Sequence, residues 1–166
     1  VLYEDVDEQY RGLDQNIHTS KDFTNYTIFS LWDTYRALHP LFNITQPKRN
    51  NDMIKSMFAH HDESVHNMLP IWSHYANENW CMIGYHATSV IADAMVKNVG
   101  DFDISRALVA SVNTANVSYF DGLGDYMAYK YVPDDKSHSS VSKTLELAYN
   151  DWCIAQIAKK NGDFKS

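Results

Sequence analysis

The sequence from Ser140 to Gly162, SVSKTLELAYNDWCIAQIAKKNG, has apolar residues at helical spacing along its whole length. It predicts a helix from Ser140 to about Lys160 that stops at Asn161-Gly162. The apolar residues fall on two sides of this helix, Val141, Leu145, Ala148 and Trp152 on one and Leu147, Ile154 and Ile157 on the other. A helix that is apolar on two sides is usually buried between neighbours, so we expect this one to lie inside a helical assembly.

The same spacing predicts four helices earlier in the chain, over residues 31–38, about 51–68, about 82–99 and 101–116. Ser30 followed by Asp33 is typical of a helix start, and Pro40 lies where the first helix should end. Pro70 closes the second helix and Gly100 the third, while Asp101 or Asp103 can cap the fourth.

The rest of the chain consists of polar connections. Residues 1–29 have little periodicity and include a β-favouring piece at 23–29, whereas residues 119–139 are rich in Gly, Asp and Tyr and have room for a short helical turn. Five helices joined by long connections predict an all-α fold, either a helical bundle or helical hairpins forming part of an α/α barrel. Ordered connections of this length often carry function.

Composition excludes two classes of partner. The net charge is −7 and no cluster of Lys and Arg is longer than two residues, so we expect no nucleic-acid partner. No apolar run approaches the roughly 20 residues of a membrane span. Cys81 and Cys153 are far apart and not in a CxxC pair, and the favoured interpretation is two buried thiols.

The histidine-rich segment His60-His61-Asp62-Glu63-Ser64-Val65-His66 invites a metal hypothesis. It lacks the HExxH spacing, and His61 and His66 are about 140° apart around a helix. A solvated polar helix face is the favoured interpretation. A metal hydrolase that uses His60, His61 and His66 remains an alternative.

Two carboxylates lie beside aromatic residues. Asp33 follows Trp32, and it is either a helix-start acid, paired with Arg36, or a ligand for sugar hydroxyls. Glu78 lies in Tyr75-Ala76-Asn77-Glu78-Asn79-Trp80, with His74 and His86 close in sequence. Rings that stack on C–H faces and carboxylates that bind hydroxyls suit a sugar pocket, whereas helix capping explains the same segment equally well.

Four segments of the chain stand out, which are in order YRGLD (10–14), FSLWDTYRALHP (29–40), NENWCMIGYH (77–86) and SVSKTLELAYNDWCIA (140–155). Together they are similar to glycoside hydrolase family 92. Asn79 stands where the family often has Thr. The order and spacing of the four segments also match, so the resemblance extends over most of the chain.

This resemblance implies a calcium-dependent, inverting exo-α-mannosidase with a β-sandwich joined to an (α/α)6 barrel. Such enzymes trim terminal mannose from glycans and are bacterial periplasmic or secreted proteins. Inversion requires a general acid and a base that activates water on the opposite face of the sugar. Calcium prefers oxygen ligands and would hold the sugar and the water.

The family segments that supply the general acid, the base and the calcium ligands have no counterpart in this sequence. We therefore expect residues 1–166 to be one segment of the α/α-barrel domain, without the preceding β-sandwich and the later part of the barrel. By resemblance, its sugar-contacting candidates are Trp32, Asp33, Asn77, Glu78 and His86. They would form part of the mannose-binding wall and transfer no proton. A non-enzymatic helical module that binds carbohydrate or protein remains the alternative.

Overall fold

The computed structural model describes residues 1–162, and the chain folds into seven helices and one small hairpin over this range. The strands β1 (Gln9–Arg11) and β2 (Ile17–Thr19) pair antiparallel. The helices are α1 (Leu31–Thr34), α2 (Leu38–Thr45), α3 (Pro47–Glu63), α4 (Ala87–Val96), α5 (Ile104–Ala115), α6 (Leu123–Tyr129) and α7 (Ser140–Asn161). No helix in this range is long and apolar enough to cross a membrane.

The predicted first helix, 31–38, is wrong in extent. The structure has a single turn at Leu31–Thr34 and a second helix, Leu38–Thr45, that runs through Pro40. Pro40 is the third residue of α2, where a backbone N–H has no partner within the helix in any case. Proline is therefore tolerated there and does not end the helix.

The bounds of the next two helices also differ from the prediction. Helix α3 starts at Pro47, because proline suits the first turn of a helix, and it ends at Glu63. Val65 falls within the predicted span 51–68, but it follows the helix and is exposed. Helix α4 starts at Ala87, because Met82 and Gly84 adopt positive φ angles that no right-handed helix allows.

Other local predictions are confirmed. Asp103 caps α5 by accepting a hydrogen bond from the Ser105 N–H at 2.8 Å. The connection 119–139 contains one short helix, α6, and Gly162 ends α7 in the left-handed conformation. The β-favouring piece 23–29, by contrast, forms no strand and pairs only through an isolated bridge from Tyr26 to Leu2.

The main core lies among α3, α4, α5 and α7, and α4 is buried on nearly all sides. Helix α7 packs on this core through one side only. Leu147 and Ile157 are buried, whereas Val141, Leu145 and Trp152 are 72%, 66% and 57% exposed. The prediction that both sides are buried is wrong for residues 1–162, because these residues supply no helix to cover the second side.

The cysteine prediction is half confirmed. Both cysteines are free thiols, and Cys153 is buried against α4 while Cys81 is exposed in the loop before it. Burial raises the pKa of the Cys153 thiol, which makes it a packing group rather than a nucleophile.

Candidate active-site wall

The predicted carboxylate Asp33 lies on the surface in the single turn α1. The Ser30 hydroxyl donates a hydrogen bond to its Oδ2, and the Ser30 oxygen accepts one from the indole N–H of Trp72 at 2.6 Å. Trp72 belongs to the segment 70–80, so this hydrogen bond joins that segment to α1. An exposed carboxylate beside a half-buried indole has the chemistry expected of a sugar-binding surface, where carboxylates accept from hydroxyls and rings lie against C–H faces.

Arg36 does not pair with Asp33, contrary to one of the sequence-based interpretations. Its guanidinium lies 4.9 Å from the centre of the Trp32 ring and 4.8 Å from that of Tyr35. The same group donates to Glu146 Oε1 on α7 at 3.0 Å. The pairing and the cation–π contacts hold the exposed part of α1 against α7.

The second predicted carboxylate, Glu78, is buried and organises its own loop. Its Oε1 accepts from the backbone N–H groups of Trp72 at 2.8 Å and Trp80 at 3.0 Å, and its Oε2 accepts from Ile71 at 2.9 Å. His60 Nε2 lies 3.4 Å from Oε2. Burial alone would raise the pKa of Glu78, but the His60 contact and the backbone N–H groups outweigh it and lower that pKa.

This electrostatic setting limits the chemistry available to Glu78. A general acid must keep its proton at the working pH, whereas a carboxyl with a lowered pKa is ionised. Its oxygens are also already engaged by three backbone N–H groups. Glu78 is therefore not suited to act as a general acid, and its three backbone hydrogen bonds place it to position the loop.

Asn77 precedes Glu78 and is exposed, unlike its neighbour. Its carbonyl oxygen accepts from the His74 N–H at 2.8 Å across the tight turn, which leaves the side chain on the surface. A shallow cleft of about 140 Å³ runs past it, between Leu13 and Val65. A larger cleft of about 450 Å³ lies elsewhere, along the hairpin and residues 2–7.

The last candidate, His86, is completely buried beneath Tyr35. The two rings stack with centroids 3.8 Å apart and planes 2° from parallel. His86 Nδ1 accepts from the Asn150 amide at 3.0 Å, and Nε2 lies 2.6 Å from Glu146 Oε2. Burial lowers the pKa of His86 to about 4, despite the nearby Glu146 carboxylate, so the ring is neutral at pH 7.

The imidazole of His86 is fully buried, with the Tyr35 ring stacked on one face and the partly exposed Glu146 carboxylate beside Nε2. Any part of the protein that packs on this surface can only cover His86 further, so its burial does not depend on parts outside this chain. In this structure His86 therefore supports the ring of Tyr35 rather than facing a ligand itself.

The metal hypothesis for the histidine segment is not supported. His60 contacts Glu78, His61 lies between Asp62 and Asn113, and His66 contacts the Tyr119 hydroxyl at 2.6 Å. The expectation of a solvated polar face is also wrong, because His60 and His61 are buried and only His66 is exposed. Their partners Glu78, Asn113 and Tyr119 come from later segments that helical spacing cannot reveal.

Comparison with known proteins identifies the family. The model of the glycosyl hydrolase family 92 catalytic domain matches residues 1–166. The chain belongs to this family. Among solved structures it is similar to a family 92 α-mannosidase of Bacteroides thetaiotaomicron in complex with mannoimidazole, with a TM-score of 0.94 and 59% identity. That match covers 98% of this chain and 21% of the other.

Two further relatives give the same result. A family 92 inverting mannosidase of Bacteroides thetaiotaomicron matches with a TM-score of 0.82 and 32% identity over 93% of this chain and 21% of its own. An uncharacterized secreted glycosidase of Arthroderma benhamiae is 35% identical over 95 residues, which is 48% of this chain and 12% of the relative. The chain thus spans about a fifth of the solved relatives. The matches confirm the predicted all-α fold, part of an (α/α)6 barrel.

The calcium implied by family 92 finds no set of ligands in the described part of the chain. Among residues 1–162, no three or more His, Cys, Asp or Glu side chains come together as a metal site. One oxygen of Asp33 is held by Ser30, and both oxygens of Glu78 are held by backbone N–H groups.

Three residues that shape this wall were not predicted from the sequence. Trp72, Tyr35 and Glu146 connect the predicted candidates, yet none was selected. Tyr35 and Glu146 lie inside the family-like segments and were available to inspection. Their importance depends on contacts across more than 100 residues, such as that from Tyr35 to Glu146, which no local pattern reveals.

Proposed function

We propose that this chain forms part of the mannose-binding wall of an inverting exo-α-mannosidase that releases terminal α-linked mannose from glycans. Support comes from the family match over residues 1–166 and from similar solved structures described as α-mannosidases, one of them inverting. The observation that carries the site assignment is the exposed Asp33 carboxylate beside Trp32, with one oxygen held by Ser30. The family match favours the hydrolase over a non-enzymatic binding module.

Within this proposal each candidate has a distinct role. Asp33 accepts hydrogen bonds from mannose hydroxyls, the Trp32 ring borders the sugar, and Asn77 offers an exposed amide. Glu78 and His86 act from beneath, since Glu78 fixes the loop 71–80 and His86 supports Tyr35. The general acid and the base belong to parts of the enzyme outside residues 1–166, at the separation of about 6.5–9.5 Å that inversion requires.

The proposal extends to the cofactor and the location. Calcium would be held by oxygen ligands outside this chain, where it would polarise the sugar and the attacking water. A periplasmic or secreted enzyme is supported by the relative that is called a secreted glycosidase. Mannose-containing glycans are the proposed substrates, and the remainder of the same enzyme is the proposed structural partner.

The test is mannose release from an α-linked mannobiose by the full-length protein and its Asp33→Ala variant. A carboxylate that binds sugar hydroxyls contributes charge-assisted hydrogen bonds of about 1.5–3 kcal/mol each. We therefore expect at least about a hundredfold loss of kcat/KM for a carboxylate that accepts two of them. Near-wild-type kinetics in a folded Asp33→Ala enzyme would contradict the assignment.

A further inference from the structure

Trp72 is the point at which the buried loop and the exposed carboxylate meet. Its indole N–H donates to the Ser30 oxygen at 2.6 Å, and the Ser30 hydroxyl donates to Asp33 Oδ2. A serine hydroxyl has a single proton. Once the indole N–H points at its oxygen, the proton is directed away from Trp72 and towards Asp33. The direction of both hydrogen bonds is thus set by Trp72, which can donate but cannot accept.

The position of Trp72 is itself fixed from below. Its backbone N–H and that of Ile71 donate to the two oxygens of Glu78, at 2.8 and 2.9 Å. The Ile71 carbonyl oxygen lies 3.4 Å from the N–H of Leu31, the first residue of α1. The buried Glu78 therefore holds the segment that carries the indole, and that segment touches α1 at two places.

The consequence for Asp33 is a carboxylate with one oxygen engaged. Its Oδ2 accepts from Ser30, while Oδ1 has no hydrogen-bond donor among residues 1–162. An exposed aspartate without such a contact samples several rotamers, and ordering it on binding costs free energy. A carboxylate that is already oriented avoids this cost and presents its free oxygen in one direction.

We propose that Trp72 is a positioning residue for substrate binding, which acts through the Ser30 hydroxyl to orient the Asp33 carboxylate towards a sugar hydroxyl. This inference rests on the proposed function of Asp33. It adds a residue that the sequence patterns did not select, and it gives the Glu78 loop a role in binding that needs no direct contact between Glu78 and the sugar.

The test is a double-mutant cycle in the full-length protein with α-linked mannobiose as substrate. Trp72→Phe keeps an aromatic ring and removes only the donor, and Ser30→Ala removes the hydroxyl. We expect each to lower kcat/KM by about three- to tenfold, the range of one hydrogen bond. The loss should appear mainly in KM, because the contact exists in the bound ground state as well as in the transition state.

The decisive readout is the coupling to Asp33. In the Asp33→Ala background, Trp72→Phe and Ser30→Ala should have no further effect, because the group that they orient is gone. Trp80→Phe is the matched control. The Trp80 indole lies in the same loop, packs against Phe120 and makes no hydrogen bond through its ring N–H among residues 1–162. The effect of Trp80→Phe on kcat/KM should therefore add independently to that of Asp33→Ala.

The outcomes separate this inference from the proposed function. A large loss in Asp33→Ala, with Trp72→Phe either at wild-type KM or fully additive, overturns the positioning role and leaves the function of Asp33 intact. An Asp33→Ala enzyme with wild-type kinetics overturns both. A matching melting temperature for Trp72→Phe and wild type, together with raised KM and full coupling, supports the inference.

Discussion

Replacement of Glu78 by glutamine tests whether this residue holds the loop in its ionised form. The substitution keeps the size of the side chain and removes the charge and one acceptor oxygen. An amide oxygen can still accept from Trp72 and Trp80, as Oε1 does now. The amide NH2 then faces the backbone N–H of Ile71, which loses its acceptor.

The magnitude follows from these contacts. A buried N–H left without a partner costs about 1–3 kcal/mol, and hydrogen bonds to a charged acceptor are roughly twice as strong as neutral ones. The Glu78 side chain is only 8% exposed, so solvent screens these interactions weakly. We expect Glu78→Gln to lower the free energy of unfolding by about 2–4 kcal/mol at pH 7. The melting temperature should fall by at least about 4 °C for a cooperative unit of about 150–250 residues.

The stability that Glu78 contributes should depend on pH in a defined direction. The pKa of Glu78 is lowered from its ordinary value of 4.5, so its ionised form stabilises the fold above that pH. This contribution is lost as the pH falls through the lowered folded-state pKa. Calorimetry should be run on the full-length wild-type and Glu78→Gln proteins. The difference between their free energies of unfolding should be constant from pH 7 to about 5.5 and should narrow below about 4.5.

Glu63 is the matched control, because it is a second buried glutamate near His60 with the opposite shift. Burial raises its pKa above 4.5, although the Tyr10 hydroxyl donates to it at 2.6 Å. The wild type should therefore gain stability relative to Glu63→Gln as the pH falls towards 4.5. The role given to Glu78 would be refuted if the stability difference between wild type and Glu78→Gln stayed constant down to pH 3. It would also be refuted if that difference changed with pH in the same direction as the one for Glu63→Gln.

Two further predictions concern α7. Asn150→Ala removes a fully buried amide whose oxygen accepts from the Tyr85 N–H at 2.8 Å. We expect the free energy of unfolding, measured by urea denaturation, to fall by about 2 kcal/mol or more. An unchanged denaturation midpoint would count against this role of Asn150. The isolated 166-residue chain should self-associate or aggregate through the exposed side of α7, and Leu145→Lys should reduce this in sedimentation velocity. A monomeric wild-type chain with a sharp melt would contradict that expectation.

The helical fold was largely predictable because its signals are local. Helix α7 and the Asp103 cap follow from spacing and composition within a few residues, and both are confirmed. The break after Thr34 and the helical Pro40 were not predictable in this way. Both depend on how α1 and α2 separate at Ala37, which takes a non-helical conformation that no periodicity signals.

The residues of the candidate wall were predictable from the sequence. Which of them are exposed and which are buried was not. Sequence patterns selected Asp33, Glu78 and His86 alike, because a carboxylate or imidazole beside aromatic residues looks the same whether it is exposed or buried. The difference arises from distant partners. Asn150 and Glu146 on α7 bury His86, and His60 on α3 lies against Glu78. Such contacts join segments that are 18 to 64 residues apart.

The central claim is that this chain supplies binding residues while the proton-transferring groups lie elsewhere in the enzyme. The most direct measurement is mannose release from an α-linked mannobiose, in calcium and then with a chelator, by the full-length protein and by the 166-residue chain carrying Leu145→Lys, which should resist aggregation. We expect release by the full-length protein that the chelator abolishes, and none by the chain. Calcium-dependent release by the 166-residue chain alone would contradict the account, because the acid and the base would then lie within it.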